Sequence, residues 1–179
     1  MDLRTHFELL AEYNQWMNQK VYEAAEKLAP GEVDADRGAF FSSILGTLNH
    51  IVVADTIWLR RFMTMPSQEA MRKSLPIWPN PQALNDTVFD RIGPLWAHRQ
   101  NVDYHIRLWV SAFTEADLSY VLEYSNTKGE LKHQVFSVLL LHFFNHQTHH
   151  RGQVTTLLNQ RGVDLGSTDL ISRVPLALP

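Results

Sequence analysis

Residues 135–153 read Val-Phe-Ser-Val-Leu-Leu-Leu-His-Phe-Phe-Asn-His-Gln-Thr-His-His-Arg-Gly-Gln, an apolar run that carries four of the chain's nine histidines within nine positions. A helical segment that is apolar on every side is a buried helix. Imidazoles taken into a core need partners, since each unpaired buried polar group costs about 1–3 kcal/mol. At 100° per residue, with His142 as zero, His146 lies at about 40°, His149 at about −20° and His150 at about 80°. The wheel thus places all four on one inward arc, with Val135, Val138, Leu139, Gln153 and Leu157. His146 and His150, four apart, can direct ring nitrogens at one cation, the spacing by which two helical histidines bind zinc. An HxxxH pair arises by chance roughly 0.4 times at this histidine content. The clustering of four, more than the pair, therefore favours a metal over a hydrogen-bonded structural cluster.

Elsewhere the chain is patterned for helices. Leu10, Tyr13, Met17, Val21, Ala24 and Leu28 recur in steps of three and four and predict a helix over residues 3–28, ended by Pro30 and Gly31. Ile44, Leu48, Ile51, Leu59 and Phe62 predict a second over residues 40–65, stopped by Pro66. Four prolines make residues 66–81 an irregular connection. A weaker pattern over residues 85–113 predicts a third long helix, kinked or restarted at Gly93-Pro94 with the proline in the first turn. Two short extended arms starting at Leu118 and Glu130, around Ser125-Asn-Thr-Lys-Gly129, predict a hairpin. The histidine helix follows over residues 132–160, closed by Gly162, and residues 163–179 read as an irregular tail. The expected class is all-α, a four-helix bundle with a short β-hairpin before the last long helix, in a single domain over residues 1–179.

Composition excludes several function classes. A formal charge of −3 without a dense Lys/Arg run argues against a nucleic-acid or anionic-membrane partner. The amino terminus lacks a signal-peptide pattern and no apolar run approaches the ~18–20 residues that cross a bilayer, so the expected location is cytoplasmic. Without cysteine there are no disulfides, thiolate ligands or cysteine nucleophile, and any metal must sit on histidine and on carboxylate or water oxygen.

A catalytic zinc usually has three protein ligands and one open position, so the pair needs a third. His6, His98, His105 and His133 sit in mostly polar neighbourhoods, where exposure is the rule. His50 lies in Gly46-Thr-Leu-Asn-His-Ile-Val-Val-Ala54, inside an apolar helix. It falls about 120° from that helix's main stripe, on a flank with Thr47, Ala54 and Ile57. Asp55 falls on the stripe, where an unpaired carboxylate is expensive. It reads as a support behind the metal ligands, a member of a core network, or one half of a simple ion pair. Trp16, Trp58, Phe143 and Phe144 read as core before pocket.

Three stretches, Tyr13-Asn-Gln-Trp-Met-Asn18, Thr47-Leu-Asn-His-Ile-Val-Val-Ala-Asp-Thr-Ile-Trp58 and Asn145-His-Gln-Thr-His-His-Arg-Gly-Gln153, carry a likeness over nearly the whole length. The chain resembles the DinB/YfiT-like superfamily of metal-dependent bundle proteins. The resemblance implies that His50, His146 and His150 ligate a divalent metal, that His142 and His149 take supporting roles, and that the protein forms a homodimer. Gln153 follows His149 by four and His150 by three, so its amide oxygen can accept a ring N–H and fix a tautomer. Gln147 stands where the HExxH peptidase motif has its glutamate base, which disfavours a zincin-type protease. Zinc and nickel both suit histidine ligation, and three neutral imidazoles leave a position at which bound water or thiol becomes more acidic. Relatives that use low-molecular-weight thiols imply transfer of such a thiol onto a small electrophile. The alternatives are hydrolysis by metal-bound hydroxide, and a non-catalytic, metal-stapled binding or stress-response bundle.

Overall fold

The computed structural model describes residues 2–74 and 78–176. Its elements in chain order are α1 (Leu3–Ala25), α2 (Ile44–Phe62), a 3-10 turn (Pro66–Gln68), α3 (Glu69–Ser74), α4 (Ile92–Ser111), α5 (Glu115–Ser119), β1 (Val121–Ser125), β2 (Leu131–Val135), α6 (Phe136–Asn159) and a second 3-10 turn (Leu170–Arg173). The protein is mostly helical with one small antiparallel hairpin, in which Val121 pairs with Val135 and Ser125 with Leu131. α1 packs on α4 and α6, while α2 packs on α6 and, less extensively, on α4. No helix among the described residues is long and apolar enough to cross a membrane.

Local chemistry moves several boundaries from where periodicity alone puts them. α2 starts at Ile44 because Ser43 is extended and its hydroxyl accepts the Gly46 amide at 2.9 Å, an N-cap that leaves Phe40 and Phe41 in the preceding loop. The proline-rich connection is not wholly irregular: Pro66 opens a 3-10 turn that runs into α3, while residues 75–77 lie outside the described ones. α4 begins only at Ile92, which makes Gly93-Pro94 a first-turn signal, as a proline without an amide donor allows, and no kink. Residues 115–119 form α5, opened by a reciprocal Thr114–Asp117 capping box and ended at the extended Tyr120, so the first strand starts at Val121. Residues 131–135 belong to β2, and α6 starts at Phe136. Gly162, at φ 76°, follows α6 as expected. The tail is tied to α1 through a hydrogen bond of 2.7 Å from the Tyr13 hydroxyl to the Thr168 carbonyl, and carries a turn at Leu170–Arg173.

The core has two regions. Near the hairpin, Phe62, Trp109, Phe113, Phe136 and Phe143 pack edge to face and stacked, with Phe7 and Phe144 alongside. Toward the other end, Met17, Val21, Ile44, Leu48, Val154 and Leu158 fill the space between α1, α2 and α6. Phe143 and Phe144 are core as expected, and Trp16 and Trp58 are half-buried at its margin. α2 is buried on nearly every side from Ile44 to Thr56, so His50's distance from the apolar stripe costs it no contact with α6. In α1 the buried face is Phe7, Ala11, Asn14, Asn18, Val21 and Ala25, and the expected Leu10 and Tyr13 lie on its flank.

Candidate metal centre

α2 brings His50 opposite His146 and His150 of α6, and one ring nitrogen from each of the three lies within 4.8 Å of the others. The His146 Nε2 is 3.3 Å from the His50 Nε2 and 3.1 Å from the His150 Nε2. The other nitrogens of the two flanking rings are occupied. His50 Nδ1 donates to the Leu84 carbonyl at 2.8 Å, and His150 Nδ1 donates to the Gln153 amide oxygen at 2.9 Å. A carbonyl only accepts, so both rings carry their proton on Nδ1 and turn a bare Nε2 inward. Burial and the neighbouring imidazoles push His146 down to about 3, and burial lowers His50 and His150 as well. The cluster is therefore three neutral imidazoles with converging lone pairs, an arrangement that fits a divalent cation.

The loop that supplies the Leu84 carbonyl is itself fixed by α2. Asn49, buried beside His50, accepts the Val88 and Phe89 amides at 3.0 Å each and donates to the Phe89 carbonyl at 2.9 Å. Arg60 holds the start of the same loop through the Trp78 and Pro79 carbonyls and Asn80. On the other side, Phe41 stacks on the His50 ring with centroids 3.8 Å apart and planes at 16°.

The four histidines do not share one inward face. The buried side of α6 is formed by Leu139, Leu140, Phe143, Gln147, Val154 and Leu158, centred at about 130° on the wheel that sets His142 to zero. His150 falls within it and His146 at its border, while His142 and His149 lie outside and are exposed. Val138, also expected on the inward arc, is exposed too. His142 sets its ring against the edge of Trp58 at 5.2 Å. His149 meets the Gln153 amide nitrogen at 3.3 Å, so Gln153 links it to His150. Among the described residues, His6, His98, His105 and His133 join no group that could hold a metal. His6 and His133 are exposed and the other two half-buried, with His98 against Phe89 and held down to about 4 by burial and by Arg99.

Gln147 does not face the metal position. It is fully buried and donates to Asp55 Oδ2 at 2.8 Å. Asp55 is neither alone nor in a simple pair: Arg99 bridges it to Asp103, the second contact being 2.7 Å. Asp103 accepts from Asn14 at 3.1 Å and from Asn18 at 3.0 Å, and Arg151 reaches both asparagine oxygens. Two arginines and two aspartates thus cancel inside a network that joins α1, α2, α4 and α6. Of the readings given for Asp55 the core network is the one found; its other members were missed, although the i,i+4 pairs Asn14/Asn18 and Arg99/Asp103 are its visible trace.

A cavity of about 730 Å³ lies against the cluster, lined by His50, His149 and His150 together with Phe40, Phe41 and Leu84. Protein DinB of Bacillus subtilis (strain 168) is 26% identical to this chain over 160 residues, which cover 89% of this chain and 88% of that protein. The family model described as the DinB family matches residues 2–175, nearly the full length, and the chain belongs to that family.

Proposed function

We propose that the protein is a metal-dependent enzyme built as a four-helix bundle, in which His50, His146 and His150 hold one divalent cation and a low-molecular-weight thiol is transferred to a small electrophile. What supports the metal is the convergence of three Nε2 atoms while the Nδ1 atoms of His50 and His150 are already committed. The donor set, three neutral nitrogens without sulfur, suits zinc or nickel. A cation held there lowers the pKa of a thiol or water that reaches the open side.

The chain's own groups favour the thiol. Gln147 is turned into the core toward Asp55, and among the described residues no carboxylate lines the cavity beside the cluster. With no carboxylate base there, the nucleophile gives its proton to solvent or to the His149 imidazole, which also lines the cavity. A thiol at about 8.5 does so far more readily than water. The sulfur then forms its bond to the electrophilic carbon as the leaving group departs with the electron pair. Leu84 and Gln153 hold the flanking rings in the tautomer that keeps their Nε2 atoms bare.

The test is consumption of an activated aryl halide by metal-loaded protein in the presence of glutathione, bacillithiol, mycothiol or cysteine. Thiol-dependent loss of the halide, abolished in His50→Ala, is expected. No consumption with any of the four contradicts the thiol reading, and consumption that needs no thiol transfers the proposal to hydrolysis. We read the protein as a homodimer as well, which the exposure of Leu131, Val135, Val138 and Leu141 on β2 and α6 favours. Light scattering that returns the monomer mass would overturn this.

A further inference from the structure

The cavity beside the cluster has a chemistry of its own. Its volume of about 730 Å³ falls in the range of small-molecule sites, about 300–1,000 Å³. Phe40, Phe41 and Leu84 give it an apolar side and Asn85 a neutral polar one; among the described residues no Lys, Arg, Asp or Glu lines it. The adjoining depression shares Phe40, Phe41 and Asn85, and the charged groups it adds are the carboxylates of Asp34 and Asp90, the latter 3.7 Å from the exposed Arg91.

Two aromatic rings stand at this opening outside both regions of the core. Phe40 is 88% exposed and meets the Phe41 ring edge-on at 4.8 Å. The loop that presents them is costly. Ser42 takes φ 62°, a left-handed value that side chains other than glycine avoid. Gly46 must lack a Cβ, which would stand 2.1 Å from the Phe41 carbonyl oxygen. A phenyl that exposed gains little burial from folding. A flat apolar body laid against it gains burial and ring contact, whereas a carboxylate held against these rings, away from the histidines, would be desolvated with no lining Lys or Arg to pair it.

We infer that the cavity holds the uncharged, flat apolar body of a small substrate whose polar head reaches the three histidines, with Phe40 and Phe41 as the rings that select it. The inference rests on the reading of the cluster as a metal centre, and it narrows the substrate to one without a carboxylate at this end.

The test uses three ligands with one metal-seeking head: imidazole, phenylimidazole and imidazoleacetate. Each is titrated into cobalt-substituted protein by visible absorption, and saturation-transfer NMR follows the phenyl protons of phenylimidazole on metal-free protein. Phenylimidazole is expected to bind at least about tenfold more tightly than imidazole, imidazoleacetate no more tightly than imidazole, and the phenyl protons to receive saturation without metal. In Phe40→Ala most of the phenyl advantage is lost, with the imidazole affinity of the same variant as reference. Equal affinities for imidazole and phenylimidazole, tighter binding of imidazoleacetate, or an unchanged advantage in Phe40→Ala overturns the inference. Absence of thiol transfer with the phenyl preference intact sinks the thiol reading alone. Protein that takes up no cobalt sinks the metal reading, while the metal-free NMR still decides this one.

Discussion

Gly46 and Asn49 fix the two sides of His50. A methyl group at Gly46 would collide with the Phe41 carbonyl oxygen, which belongs to the backbone and has little room to give. Gly46→Ala is expected to cost about 1–3 kcal/mol, the range of overpacking, read as a lower urea midpoint. Asn49→Ala removes three hydrogen bonds to the loop that carries the Leu84 carbonyl. Loss of that oriented contact behind a ligand is expected to weaken metal binding by about 10–100-fold, measured by competition with a chelator. Unchanged affinity would show that the loop holds His50 by other means. The sequence exposed His50, His146 and His150 through spacing and the family pattern, and Gln153 through its offset from His150. It did not expose Phe40 and Phe41, because periodicity placed Phe40 inside a helix that the Ser43 cap starts later. Asn49 was hidden for another reason: an amide inside an apolar run gives no sign of which loop it will reach.

The long helices were legible because each buries a stripe, and stripes repeat at the helical period. α3 and α5 were not, since each is shorter than two full turns and depends on a proline start or a capping box for its definition. The polar network between helices showed only through Asp55, whose place on the apolar stripe admits a core network; nothing in the sequence marks Arg99 and Asp103 as the groups that α1 and α2 complete. Arg99→Ala leaves the buried carboxylates of Asp55 and Asp103 without their cation, and is expected to destabilise the fold by about 3–5 kcal/mol. Chemical denaturation measures this, and a change under about 1 kcal/mol would mean that water replaces the guanidinium. Arg151 and Gln147 tie the residues next to His150 and His146 into the same network. The Arg99→Ala variant should therefore also bind metal more weakly than wild type.

The metal-free protein keeps its buried imidazoles neutral, which couples its stability to pH. His146 is pushed down to about 3 from its usual 6.5, and His98 to about 4, by burial first and neighbouring positive or imidazole groups second. Between those values and 6.5 the unfolded chain binds protons that the folded one does not, so stability rises with pH through that window and levels off above it. Asp55, raised to about 6 by burial, works the other way over part of this range, so the imidazole contribution is read as a difference: from pH 4 to about 6.5 the urea midpoint of metal-free wild type is expected to gain on that of His146→Gln. A difference that does not change with pH over this range contradicts the assignment. A cation shared by α2 and α6 would staple the two helices, adding about 2.7 kcal/mol when it is present at a hundred times its dissociation constant. Everything proposed for the reaction depends on that cation being held by these three side chains. Elemental analysis of purified wild type beside His50→Ala, His146→Ala, His149→Ala and His150→Ala decides it. About one equivalent of divalent metal per chain is expected in wild type and His149→Ala and almost none in the other three, whereas full metal in His50→Ala or His146→Ala, or loss in His149→Ala with retention in His150→Ala, contradicts the centre described.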